Sequence, residues 1–371
     1  MPVAIEQRLP ALASKPLRVG RHAANLAAKA LLIPAGALVA SFATFGVFLA
    51  SIGANPLAVY VSIYQGSFGS WFSLQNTLAR AAPLMLTALC TALPARLGLI
   101  VIGGEGALVV GAVATVAAAK AAAGAPSLMV TTLMMLSGMA AGALWIGAAG
   151  WLRHYRGVNE TITSLILNYV AIAVMSQLVV GVMRDLTVVH RPSSWHVGEA
   201  NMIGLIPGME VHWGLAFGVL ACVVAYILMN HTVFGFAARI IGGNIRAARL
   251  AGIAVGRIVV IVCLLAGAAA GLAGAVEIAA VHGRASSSIV VGYGYTGILV
   301  AFLARQNPLA VVPVAVLLGG IRASGGLLQR WHDLPDATVL VLQGIIFIMI
   351  LASEFLYSRT PSFVGRKVTD G

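Results

Sequence analysis

The run "VLVLQGIIFIMILA" at 339–352 is apolar on every side, and so is "ALWIGAAGW" at 143–151. A helix of that kind has no polar face to offer water, so it must lie in lipid or inside protein. Several windows of the chain exceed the roughly 18 apolar residues that mark a spanning helix. Of the 371 residues, 60% are hydrophobic and only 9% are charged, too apolar a mixture for a soluble domain of this size. The reading is an all-α polytopic membrane protein. A membrane barrel would show segments of about 10 residues with alternating polarity, and these runs do not alternate.

Hydropathy places spans at 29–51, 81–99, 106–122, 127–150, 161–182, 213–230, 258–280, 294–305, 308–321 and 337–356, about ten transmembrane helices. The short pair at 294–305 and 308–321, separated by "RQNPL", reads either as two crossings or as a re-entrant hairpin or broken helix, so the range is 8–10. Residues 1–28 form an N-terminal arm, 29–356 a single transmembrane domain and 357–371 a tail. The arm is followed by an apolar run too long for a signal-peptide core and without a clear small-residue cleavage site, so it is read as leading into a retained first span.

The net charge of +12 raises the question of nucleic acid, and the distribution of the basic residues answers it. They gather in alternate loops: Arg8, Lys15, Arg18, Arg21 and Lys29 in the arm, Arg153 and Arg156, then Arg239, Arg246, Arg249 and Arg257, and Arg359, Arg366 and Lys367 in the tail. The stretch 52–77 is uncharged, and 183–212 balances Arg184 and Arg191 against Asp185, Glu199 and Glu210. This is the positive-inside pattern of a membrane protein with both termini cytoplasmic, so no nucleic-acid partner is implied. Arg80, Arg96 and Lys120 depart from it.

Catalytic signatures are missing. None of the four lysines ends a GxxxxGK[ST] phosphate loop, and the chain has no HExxH, no GxSxG and no close His/Cys/carboxylate set with ligand spacing. Cys90, Cys222 and Cys263 fall in apolar windows without CxxC spacing and read as small hydrophobes, implying no disulfide and no metal. "GYGYTG" at 292–297 has the spacing of a glycine-rich loop, yet no strand precedes it, so its expected use is to start a span. Two small-xxx-small pairs, Gly138/Gly142 and Gly267/Gly271, predict close helix packing.

Charged and polar residues at lipid depth are costly and so point to function. Glu105, in "IGGEGA", suggests a helix break; it either lines the substrate route or pins a helix start. Glu160 sits where Asn159 can cap a helix, and Glu277 is expected at the membrane interface. Thr161, Ser164 and Asn168 share one helix face, which is either a pore lining or a set of local backbone bonds and helix–helix glue. "NPLAV" occurs at 55–59 and again at 307–311, on opposite sides of the predicted membrane, an arrangement suited to inverted halves; Pro near a helix start explains both copies locally. Within the most basic loop, 231–257, the stretch "GGNIRAARLAGI" has a capping Asn244 and a terminating Gly252, the marks of a short water-facing helix.

Four segments in order carry a family likeness: "IGGEGALVVGA", "GVNETITSLILNYVA", "FGFAARIIGGNIRAARLAGI" leading to a span that ends "AGLAGAVE", and "GYGYTGILVAFLARQNPLAVV". Together, over about residues 55–350, they resemble the membrane permease subunits of bacterial ABC importers for nucleosides and simple sugars. The family's usual Asn before "IG" and Gln after "EG" are replaced here by Val101 and Ala107, which implies a shifted substrate preference if those positions line the route.

The resemblance implies a chain that is no enzyme and binds no cofactor, ATP and Mg being held by cytoplasmic ABC ATPase subunits. It further implies a second permease subunit, the same or a homologue, a periplasmic or lipid-anchored substrate-binding protein, a small-molecule substrate, and a lipid setting in the bacterial cytoplasmic (inner) membrane. The stretch at 242–253 matches the helix that couples such permeases to the ATPase. Asn244 would cap it and Gly252 end it, Ile245 and Ala248 would enter a groove, and Arg246 and Arg249 would meet acidic groups. The substrate path would fall to Glu105, Thr161, Ser164 and Asn168. Nucleosides fit the likeness better than ribose-type sugars. An ion-coupled secondary transporter using Glu105 is the rival reading.

Overall fold

The structure, a computed structural model, describes residues 19–188 and 191–359, so most of the expected arm and tail lies outside the described residues. The described chain is helical: α1 Val19–Ser51, α2 Pro56–Phe68, α3 Trp71–Ala95, α4 Gly104–Ala121, α5 Ser127–Arg156, α6 Glu160–Val180 and α7 Gly214–His231. There follow α8 Val233–Gly243, α9 Ile245–Leu250, α10 Val255–Glu277, α11 Tyr293–Leu303, α12 Pro308–Ala323, α13 Gly325–His332 and α14 Ala337–Arg359. Among the described residues the only β pairing is three isolated bridges in and beside the 181–213 loop. Seven helical segments there are long and apolar enough to cross a membrane. The chain is an all-α multi-pass membrane protein.

Every predicted span has its helix, but one span starts earlier and one helix is added before it. The uncharged stretch read as a loop at 52–77 holds α2 and the first turns of α3, which begins at Trp71 rather than 81. Gln65, Ser67, Gln75 and Thr77 depress the hydropathy there, yet Ser67, Gln75 and Thr77 are buried, with Thr77 Oγ1 donating to the Ser67 carbonyl at 2.8 Å. The earlier start of α3 also explains Arg80, which sits inside the bundle near the end that carries α13. Arg96 belongs to the α9 end, where its Nε donates to the Gln306 carbonyl at 3.2 Å, and Lys120 lies 5.3 Å above the Trp195 ring at the opposite end.

Both "NPLAV" copies are the same local device. Asn55 accepts from the Leu57 and Ala58 amides, Asn307 accepts from the Leu309 amide, and a proline opens each helix. Asn307 opens α12 beside the Arg96 contact at the α9 end, and the C-terminal part of α2 packs Gly66 against Ser324 at the other end of α12.

α10 is the hub, packed against α3, α4 and α5. The two predicted glycine pairs face each other across the α5–α10 contact. An added Cβ at Gly271 would run into the Gly138 carbonyl and sit 3.0 Å from Gly142 Cα, and one at Gly142 would sit 2.6 Å from Gly271 Cα. The backbones therefore touch with nothing between them, which is how helices associate when lipid removes the hydrophobic drive.

Candidate functional site

Two features stand out, one at the basic end of the bundle and one at its middle. At the basic end, α8 stops at Asn244, which is extended (φ −158, ψ 106) and caps α9: its Oδ1 accepts from the Arg246 amide at 2.9 Å and the Ala247 amide at 3.1 Å. The other end of α9 closes with Gly252 at φ +73, whose amide reaches the Arg249 carbonyl while the Ile253 amide reaches the Ala248 carbonyl at 3.0 Å. That pair of bonds is a Schellman closure, so six helical residues are fixed at both ends by their own chain. An isolated helix this short would not persist in water.

Ala248 is fully buried against the rest of the bundle, so it anchors α9 rather than presenting a surface. Ile245, Arg246 and Arg249 are exposed, and Leu250 is 91% exposed. Leu250 was not among the residues singled out in the sequence; its only signal there is an aliphatic side chain in a basic, acid-free loop. Beneath α9 a cavity of about 180 Å³ is lined by Leu97, Arg153, His154, Ile241, Ile245 and Arg249 among others. Replacing Asn244 with Ala removes two capping bonds and should loosen α9 by about 1 kcal/mol. Faster hydrogen exchange at the 246 and 247 amides, with the spans unchanged, is the expected readout.

From the α9 end towards the middle of the bundle, the chain leaves α3 at Ala95 and stays non-helical until α4 starts at Gly104. Non-helical backbone at membrane depth must find partners inside the protein. α6 supplies them from one face. Glu160 Oε1 accepts from the Ile100 amide at 3.4 Å, Thr161 Oγ1 donates to the Ile100 carbonyl at 2.8 Å, and Ser164 Oγ accepts from the Ile102 amide at 3.1 Å. Asn168 donates to the Ile102 carbonyl at 2.9 Å and accepts from the Gly106 amide at 2.7 Å. Asn159 caps α6 as expected, and Arg153 Nε lies 3.0 Å from Glu160 Oε2. Ser164 and Asn168 are fully buried, as are Val101 and Ala107.

Glu105 completes the arrangement. α11 has eleven residues, about 16 Å of helix against a hydrocarbon core of roughly 30 Å, so it begins inside the bundle. Its first amides point at Glu105: Gly292 donates to Oε1 at 2.8 Å and Gly294 to Oε2 at 2.6 Å. The N-termini of α4 and α11 thus meet with one carboxylate between them, a sign of charge suited to the positive ends of two helix dipoles. Gly294 is required at this meeting, because an added Cβ would lie 2.5 Å from Glu105 Cα. Glu105 lies in the first turn of α4 at 0% exposure, and its carboxylate bonds the start of α11.

Cys90, Cys222 and Cys263 are buried and unpaired. Among the described residues no group of three His, Cys, Asp or Glu side chains is placed to hold a metal ion.

A bundle built on broken helices that meet at mid-depth, with a capped basic helix at one end, is the form of a membrane transport subunit. Residues 73–351 match the family described as branched-chain amino acid transport system / permease component. The chain is 34% identical over 333 residues to the glucose ABC transporter permease protein TsgB13 of Haloferax volcanii, covering 87% of each. It is 29% identical over 331 residues to the guanosine ABC transporter permease protein NupP of Bacillus subtilis, covering 87% of this chain and 93% of that one. It is also 26% identical to the nucleoside ABC transporter permease protein NupB of Lactococcus lactis over 334 residues, 88% of this chain and 92% of the relative. The chain belongs to this permease family and is the membrane subunit of an ABC transporter.

Proposed function

We propose that this permease serves an ATP-driven, binding-protein-dependent importer of nucleosides. In this reading it works in a pair with itself or a homologous chain, α9 docks on a cytoplasmic ATPase that holds ATP and Mg, and an external protein delivers the substrate. The α9 end and both termini then face the cytoplasm. The observation that carries the reading is α9 itself, clamped at both ends by its own loop yet turning Ile245, Arg246, Arg249 and Leu250 outward. Two aliphatic side chains and two guanidinium groups suit an apolar socket with an acidic rim. ATP-driven closure of the ATPase pair moves the two α9 helices and rocks the permeases between outward-facing and inward-facing states.

Glu105, Thr161, Ser164 and Asn168 serve the path in this reading by fixing the broken segments beside it. The commitment of the Glu105 carboxylate to two amides also argues against an ion-coupled mechanism, which needs a carboxylate free to bind and release a cation. Nucleosides are favoured by the guanosine and nucleoside permeases among the relatives; the glucose permease, at 34% identity, supports simple sugars as the second reading.

Reversing charge at Arg246 and Arg249 to Glu sets like charges against the acidic rim, at a cost of several kcal/mol. Uptake of labelled uridine should fall at least tenfold while the amount of folded permease stays constant. Uptake that survives the reversal, or that persists when the phosphate-loop lysine of the ATPase is mutated, rejects the coupling.

A further inference from the structure

At the end of the bundle opposite α9, a cavity of about 300 Å³ opens among α3, the ends of α10 and α12, the start of α11 and the loop before α7. Asn76, Arg80, His212, Glu277, His282 and Arg322 contribute its polar wall. Buried polar groups are normally consumed by their neighbours. Here His212 is left over, and Glu277 and Arg80 are only partly engaged.

Glu277 is 3% exposed, yet among the described residues its carboxylate accepts no hydrogen bond, and its nearest ion-pair partner is His282 Nε2 at 3.5 Å. His212 is 4% exposed and neither ring nitrogen makes a well-formed hydrogen bond, the Ala79 carbonyl being a weak partner. Burial pushes its imidazole below the ordinary pKa, so the ring faces the cavity uncharged. Arg80 donates Nε to Asn76 Oδ1 at 3.3 Å and forms no ion pair among the described residues. Arg322, by contrast, is occupied by the Val291 carbonyl and by the Tyr293 ring, 4.9 Å away.

An acceptor, a donor and a ring that can be either therefore converge on one space. Its charges balance, Arg80 and Arg322 against Glu277 and Asp336, which suits a neutral ligand rather than an ion. The volume is at the low end for a small-molecule site, enough for one hydroxylated ring without a second ring system. A carboxylate accepts from two adjacent hydroxyls at once, while a guanidinium donates to a third oxygen.

We propose that this cavity is a subsite for a neutral sugar ring with adjacent hydroxyls, either free or as the ribose of a nucleoside. The inference rests on the ABC permease reading and deepens it. It also accounts for relatives named for glucose and for guanosine, which share a hydroxylated ring and little else.

Val281 lines the cavity and is 54% exposed, whereas the three native cysteines are buried, so Val281→Cys supplies one reachable thiol. The test labels this variant, in the complete permease–ATPase complex in lipid nanodiscs, with a charged methanethiosulfonate reagent. Uridine or D-glucose at about four times its Kd should slow labelling roughly fivefold. 2′,3′-Dideoxyuridine and uracil should not. Protection by both sugars identifies the shared ring, by glucose alone the free sugar, and by uridine alone the nucleoside. Glu277→Gln in this background should remove the protection, and His212→Gln, a separate variant, should weaken it. Ala79→Cys, on the same cavity, is a second reporter. Equal protection by dideoxyuridine, or no protection at either thiol while ATP-dependent uptake is intact, overturns the subsite. Absence of ATP-dependent uptake of any of these compounds overturns the proposed function instead.

Discussion

Glu105→Ala is expected to remove the folded permease from the membrane, not merely to slow it. The carboxylate is 0% exposed and accepts from the Gly292 and Gly294 amides at 2.8 and 2.6 Å. Truncation leaves both amides buried without an acceptor, and hydrogen bonds to a charged group are each worth about 1.5–3 kcal/mol. It also leaves the N-termini of two helices face to face with no negative charge between them. The expected loss is about 3–6 kcal/mol, a large part of what holds a domain of ordinary stability together. Glu105→Gln keeps one acceptor and should fall between the two. The measurement is the thermal denaturation midpoint of the purified variants at one scan rate, compared with uptake per folded molecule. A side chain that acted by touching substrate would give the opposite split, with stability kept and uptake lost.

The same carboxylate shows where sequence reasoning stops. The break beside it was legible, because an acid among glycines in an apolar stretch has few other uses. Its partners lie 187 and 189 residues away, and nothing local connects them. "GYGYTG" imitates a phosphate loop for a reason visible only in three dimensions: Gly294 must let the start of α4 approach its backbone. The stripe Thr161, Ser164 and Asn168 was correctly placed on one face, but spacing alone could not say whether that face meets solvent or a neighbouring segment. It meets the Ile100 and Ile102 peptide groups.

Local signals fared better where the physics is local. The Asn244 cap and the Gly252 terminator are both realised, since a cap needs only its own next three residues. The direction in which α9 faces is tertiary, so Ala248, expected to enter a partner's groove, is buried in the permease, while Leu250, to which the sequence assigned nothing, stands out from it. α2 was missed because its polar residues read as loop, whereas in a bundle such residues are tolerated once bonded, as Ser67 Oγ is to the Ile63 carbonyl at 2.7 Å. Hydropathy scores each side chain's preference for an apolar medium and is blind to neighbours, whereas α2 packs on α12 and α13 and α3 packs on α12.

Gly271→Ala, a change of one methyl group, is expected to be nearly as damaging as the loss of a buried charge. The added carbon would collide with the Gly138 carbonyl oxygen and lie 3.0 Å from Gly142 Cα. Both obstacles are backbone atoms of α5, so no side-chain rotation relieves them. Overpacking of a well-packed core costs about 1–3 kcal/mol when side chains can yield, and here the whole helix must move. α5 and α10 would have to separate, loosening the hub to which α3 and α4 are also fastened. Their association has little else to draw on, because lipid competes for every apolar side chain on the outer faces. A drop of at least about 3 kcal/mol, read for a chain of 371 residues as a denaturation midpoint lower by roughly 4 °C or more, is expected. Gly344→Ala supplies the control, since nothing lies within 4 Å of the site of its Cβ and an alanine in the middle of α14 should be neutral or mildly stabilising. If the two alanines behave alike, the α5–α10 contact is slack and the close approach of their backbones is not what holds the bundle together.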